Sequence, residues 1–176
     1  MQKYLQSIVA ITIIASLWFM SSCKKSENPT NSSDSDGVTF SGISRTDTLG
    51  NIIEDDTTDW QPRWENVGFP PKYPLEARPA FPNPAGRDSI SWGFGERRLG
   101  CIITYCLNSA SSVEVRVYDK PNSYIKTLVW GTHVAGAHQV VWDLTDSLNR
   151  PVPDGIYRVI IATQIQQIHG DIQVLR

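Results

Sequence analysis

Cysteines, histidines and clustered carboxylates are the residues here that could do chemistry, and their spacing decides which of them can act together. His133, His138 and His169 are scattered, and no Cys/His/Asp spacing suits zinc. Neither a Gly-x-Ser-x-Gly elbow nor a phosphate-binding loop occurs. Glu54, Asp55, Asp56 and Asp59 crowd together. A calcium loop would alternate Asp or Asn around a central Gly and close on Glu, so this cluster reads as a solvated acidic turn. Asp143, Asp146 and Asn149 suit side-chain-to-backbone turn closure, with a metal loop as the alternative. Cys101 and Cys106 fall in one alternating run. On a single strand their Cα atoms would lie about 16 Å apart, out of disulfide reach, and point to opposite faces. Both are expected as free thiols, Cys101 in the core. No catalytic constellation or cofactor site emerges, so the chain is not read as an enzyme.

Cys23 stands apart. Lys3 supplies a positive start, Ile8 to Met20 is an uncharged apolar run, and Ser21 and Ser22 are small residues just before the cysteine. These are the three parts of a secretory signal. A spanning helix wants roughly 20 apolar residues, and this run is shorter, with polar residues on both sides. Met20-Ser21-Ser22-Cys23 resembles the lipobox of bacterial lipoproteins, with Met20 where Leu is commoner. That resemblance implies a signal peptide over 1–22 and lipid, diacylglycerol and palmitate included, on Cys23. It also implies attachment to a membrane of the bacterial cell envelope. Acyl chains at about 0.8 kcal/mol per CH₂ make such anchoring effectively permanent. Lys24 follows the cysteine where, in some bacteria, Asp retains lipoproteins at the inner membrane, so the outer membrane is favoured.

The elements that must position any site come next. The 176 residues carry a net charge of −2, which gives no electrostatic reason to bind nucleic acid. Residues 24–37 are polar and cannot offset their ordering entropy. The whole of 23–59 is expected to be a flexible linker, spanning on the order of 30 Å. Seven prolines between Trp60 and Pro84 (positions 62, 70, 71, 74, 79, 82 and 84) predict an extended segment, irregular or an edge strand, wrapping the domain. Beyond it the pattern alternates. Cys101–Leu107, Val113/Val115/Val117, Ile125–Trp130, His138–Asp143, Gly155–Thr163 and Gly170–Leu175 read as strands separated by turn clusters. Residues 60–176 are therefore expected to form an all-β antiparallel β-sandwich of about seven strands.

From Pro79 onward the chain resembles a known pattern. Pro79-Ala80-Phe81-Pro82-Asn83-Pro84, then SVEVRVYD, then the run from Ile125 to Ile161, are similar to the Ig-like domain of flagellar hook-capping proteins. They are equally similar to the related C-terminal sorting domains of type IX secretion cargo. The resemblance covers nearly the last hundred residues and implies an Ig-like/fibronectin III-like fold. It departs from the pattern in an inserted segment, Ala85 to Gly100, with an extra candidate strand at Ser89–Trp92. It departs again at Leu144, where Gly is usual, a change read as mattering little.

Trp142, with Val140 and His138, is expected on the core face, and Asp143 in the turn that follows. Gly136 and Gly155 are expected at positive φ. Tyr157 is expected either to hydrogen-bond back to a loop, as a tyrosine corner does, or to pack with a solvent-facing hydroxyl. The function implied is a non-catalytic, lipid-anchored interaction or structural module whose partner is an envelope protein or a glycan. A type IX sorting domain, or a carbohydrate-binding sandwich using exposed aromatics, are the alternatives. Trp60, Trp64, Trp92 and Trp130 are the candidate aromatics, and Trp92 and Trp130 the ligand-facing pair.

Overall fold

A computed structural model describes residues 42–68, 70–92, 96–119 and 123–176. The signal segment, Cys23 and the polar stretch 24–37 lie outside the described residues. Eleven strands are described: β1 (Arg45–Thr46), β2 (Ile52–Glu54), β3 (Leu75–Phe81), β4 (Ser89–Trp92), β5 (Glu96–Leu99), β6 (Cys101–Leu107), β7 (Ser111–Asp119), β8 (Tyr124–His133), β9 (Gly136–Trp142), β10 (Gly155–Ala162) and β11 (Gln167–Val174).

Seven of them make the body. One sheet runs β11-β10-β7-β8 and the other β3-β6-β9, every pair antiparallel. This four-plus-three order is the fibronectin III-like variant of the Ig-like sandwich. Alternation produces it. Val113, Val115 and Val117 of β7 face inward, opposite Cys101, Ile103, Tyr105 and Leu107 of β6, and all seven are buried. Tyr157, Val159 and Ile161 of β10 and Ile168, Ile172 and Val174 of β11 complete the layer. Residues of one parity pack between the sheets and the other parity is turned outward. The inserted segment after Pro84 forms its own hairpin, β4–β5, in the register Ser89↔Leu99 to Trp92↔Glu96.

The ordered body begins earlier than expected. The linker anticipated for 23–59 gives way by Gly42 to chain that is tied to the sandwich. Thr46 exchanges backbone hydrogen bonds with Asn83 (2.9 and 3.3 Å), and its hydroxyl donates to the Ala80 carbonyl (2.8 Å). Ser44, Thr46 and Asp59 are buried although polar, because each side chain finds a partner in the fold. Composition alone, which suggested a tether, does not register those partners. The proline-rich stretch also does more than wrap the surface: Leu75–Phe81 is a full edge strand whose Leu75, Ala77 and Ala80 are core residues. Its register against β6 shifts between Arg78 and Phe81, around Pro79, where proline cannot donate to a ladder.

Four buried side chains clasp residues 42–68, the strap, to β11. Arg158 and Asp171 are paired directly across β10 and β11 and form a two-pronged ion pair, Nε–Oδ1 2.8 Å and Nη2–Oδ2 2.9 Å. Asp59 accepts the Asp171 amide (2.9 Å) on one oxygen and the Ser44 amide (3.1 Å) on the other. Asn83 donates to the carbonyls of Ser44 (2.9 Å) and Asp171 (3.0 Å) and accepts the Gln173 amide (2.9 Å). Beside them Trp60, fully buried at φ 60°, lays its indole over Gly170. A Cβ on Gly170 would fall inside that ring, so the tryptophan occupies the space a side chain would take.

Gly170→Ala should therefore cost about 1–3 kcal/mol, the usual penalty of overpacking. Denaturant unfolding would measure it, and a loss under about 0.5 kcal/mol, the surface-substitution range, would mean the indole does not rest there. The clasp also has a pH signature. Burial pushes the Asp59 carboxyl up to about 7, against the amides of Ser44 and Asp171 that favour the anion, with the charges of Asp171 and Asp56 pushing it further up. A carboxyl raised in the folded state binds an extra proton between the ordinary carboxylate range and about 7. Stability then falls as pH rises through that window. Arg158, Arg63 and His169 also lie near, and burial lowers the His169 pKa, so the reading is the difference between wild type and Asp59→Asn. The wild type should lose stability relative to the variant from pH 5 to pH 8. A difference flat with pH would show that Asp59 does not titrate there.

Candidate functional site

Trp142 sits at the centre of the core, its indole donating to the Thr145 carbonyl (3.0 Å) and meeting the Tyr157 ring edge-on at 5.1 Å. Tyr157 donates its hydroxyl to the Pro153 carbonyl four residues upstream (2.7 Å), closing the entry to β10. Gly136 has φ 123°, whereas Gly155 does not have a positive φ. Gly155 opens β10 in register with Val174, and a Cβ there would make an ordinary 3.7 Å contact with Tyr157. The reading of Gly155 as a left-handed turn residue is thus corrected. Leu144, in place of a usual glycine, holds φ 56° while its side chain is buried. It bears a left-handed backbone at about 1–2 kcal/mol and fills the core in return, so the substitution is not the neutral one expected.

The turn after Trp142 carries its own cation. The Lys126 ammonium reaches into it from β8, contacting both Asp143 oxygens (3.1 and 3.3 Å), Thr145 Oγ1 (2.7 Å) and Asn149 Oδ1 (3.5 Å). Asp146 is turned to the backbone amides of Leu148 and Arg150 (2.8 and 2.9 Å). The acidic turn at 54–59 is likewise partnered: Glu54 by Arg45, Asp55 by Arg63, Asp56 by Thr58, and Asp59 in the clasp. Among the described residues no group of three His, Cys, Asp or Glu is arranged to hold a metal ion.

Two of the histidines are not scattered. His133 and His138 stand 4.7 Å apart between ring centroids, flanking Tyr105, whose hydroxyl shares a hydrogen bond with His133 Nδ1 (2.8 Å). Burial, then the neighbouring His138, lowers the His133 pKa. Cys101 and Cys106 are both free and buried, and burial raises both thiols, which makes them poor nucleophiles. Of the candidate aromatics, Trp60 and Trp64 are buried, and the Trp92 side chain lies outside the described residues. Trp130 is 75% exposed beside a shallow hollow of about 160 Å³.

A groove lies elsewhere, on the outer face of β3-β6-β9. Cross-strand register aligns Arg78, Thr104 and Gln139 in a polar row across the three strands, with Gln139 Nε2 3.5 Å from Thr104 Oγ1. Trp64 and Val67 of the strap wall one side, and Phe81, Leu49 and Gly50 the other, enclosing about 560 Å³. A second hollow of about 400 Å³ continues beyond Trp64, over Pro70, Pro71, Cys106 and Ala137. The chemistry on offer is recognition: one cation, a hydroxyl and an amide on the floor, apolar walls, and no nucleophile beside a base.

Sequence reasoning missed this site. Alternation places Thr104 and Gln139 outward, but only the pairing of β3 with β6 brings Arg78 beside them.

Residues 86–167, under half of the chain, match the family model of the FlgD Ig-like domain. No curated protein matches the chain. A solved structure of FlgD from P. aeruginosa aligns at 29% identity over 41% of this chain and 55% of that one, with a TM-score of 0.34. The chain thus spans only about half of that protein. The family match begins after Pro84 and stops at the first residue of β11, so β3 and nearly all of β11 extend the sandwich beyond it.

Proposed function

We propose that the protein is a non-catalytic envelope module: an Ig-like sandwich, tethered by lipid on Cys23, that presents the outer-face groove to a partner. The groove is the observation that carries the reading. It pairs an arginine with apolar walls on a sheet face that would otherwise be plain, and its walls come from a strap whose clasp keeps it in place. The match to the FlgD Ig-like domain supports a structural or interaction role, since that domain supplies a scaffold rather than chemistry.

Anchoring rests on the sequence before Cys23. Cys23→Ser should abolish acylation and release the protein from the membrane fraction, while intact-mass spectrometry of the wild type should show a diacylglyceryl-modified Cys23 at its N-terminus. Recovery of unmodified wild type still carrying residues 1–22 would end the lipoprotein reading. The interaction role predicts that crosslinking in intact envelopes, before purification, captures a discrete partner. Repeated capture of none would count against it.

Exposure of Trp130 favours carbohydrate binding as a second reading, because a solvated indole face can stack on a sugar ring. Under that reading, glycan-array signals should fall at least tenfold in Trp130→Ala, and signals unchanged by the substitution would dispose of it.

A further inference from the structure

Building on the groove as the contact surface, we infer that it binds a polypeptide segment carrying a carboxylate beside an aliphatic side chain, with Arg78 as the anion anchor. Arg78 is half-buried and, among the described residues, has no ion-pair or hydrogen-bond partner. That sets it apart from Arg45, Arg63, Arg116, Arg150, Arg158 and Arg176, each paired with a carboxylate. Glu76, two residues away on the same face of β3, makes no ion pair with it; its Oε1 instead accepts the amides of Lys72 (2.8 Å) and Tyr73 (3.0 Å). A partly desolvated guanidinium left in a cleft favours a planar oxyanion that can take two of its N–H groups at once.

The remaining floor suits a peptide. Thr104 and Gln139 offer a hydroxyl and a carboxamide in line with Arg78, able both to donate to and accept from a main chain lying across the strands. The rim decides between peptide and glycan. Leu49 is 81% and Val67 55% exposed, whereas Trp64 is only 6% exposed. The most exposed apolar surface of the rim is therefore aliphatic, which fits Leu, Val or Ile side chains. Of the two aromatic walls, Trp64 shows too little of its face for a sugar to stack on, and the half-buried Phe81 ring is packed against Gly50.

The experiment uses the full lipidated chain in nanodiscs. Its probes are blocked heptapeptides with a central Asp or Glu between Val and Leu, the matching Asn and Gln peptides, and oligogalacturonate as an acidic glycan. Binding would be read by fluorescence anisotropy and by the Arg78 Nε–Hε and Trp64 indole resonances. The acidic peptides should bind at least tenfold more tightly than the neutral ones and shift both resonances. Arg78→Met should abolish that preference, Arg78→Lys should weaken it, and Leu49→Ser with Val67→Ser should weaken all peptides alike. These side chains are at least partly exposed, so unchanged unfolding midpoints would show that the variants fold. Should one variant fail to fold, wild-type discrimination between acidic and neutral peptides still decides. Equal binding of both, full binding by a folded Arg78→Met, or binding of oligogalacturonate alone would overturn the inference. If crosslinking captures a partner that Arg78→Met does not release, this site assignment fails while the module reading stands. If acidic peptides bind at Arg78 but no envelope partner is ever captured, the reverse holds.

Discussion

The rest of the molecule depends on one buried junction, where Asp59, Asn83 and the Arg158–Asp171 pair join the strap to β11. An Ig-like sandwich has four edge strands, and here two of them, β3 and β11, lie on the same side. Unpaired edges invite promiscuous pairing. The junction covers both at once: Trp60 and Ala85 donate backbone hydrogen bonds to β11 carbonyls, at His169 and Gln173, while Trp64 donates to the Ala77 carbonyl of β3. Removing one member of a buried ion pair leaves its partner charged without compensation, so the array works as a unit. Asp59 and Asn83 anchor to it through main-chain amides and carbonyls, which suits a join between segments far apart in sequence.

Much of the sandwich could be read from local pattern. Valines at 113, 115 and 117, the alternation from Cys101 to Leu107, and the extra strand at Ser89–Trp92 lie where period-two reasoning put them, because one buried face imposes that period. The misreadings share a cause. Polar residues 42–59 resembled a tether because composition counts apolar burial and is blind to hydrogen bonds made with partners up to 112 positions away. Two histidines looked scattered because only the pairing of β9 with β6 sets Tyr105 beside both of them. Gly155 looked like a turn residue by its neighbours, whereas its conformation is set by Val174 across the ladder.

The same blindness explains the chemistry that failed to appear where sequence put it. The Asp143–Asn149 turn has the oxygen-rich look of a cation site, and it does hold a cation, the ammonium of Lys126 from a strand in the opposite sheet. The acidic run at 54–59 is divided among Arg45, Arg63, Thr58 and the clasp. In both places the carboxylates answer needs internal to the fold. Arg78 is the converse: unremarkable in sequence, beside prolines, and distinctive because it is half-buried in a groove with no carboxylate partner among the described residues.

That contrast locates what is particular to this chain. The family-model match spans 86–167, which takes in the floor residues Thr104, Ala137 and Gln139, but the walls Leu49, Gly50, Trp64, Val67 and Phe81 all precede it, as does Arg78 on the floor. The matched portion contributes β6 and β9 to the sheet whose outer face carries the groove. The strap and the edge strand β3 convert that face into a cleft with one charge in it. Whatever specificity the groove has therefore resides in the part of the chain that the family pattern does not describe. The clasp links the two, since without Asp59, Trp60 and Asn83 seated on β11 the walls would have no fixed position over the floor.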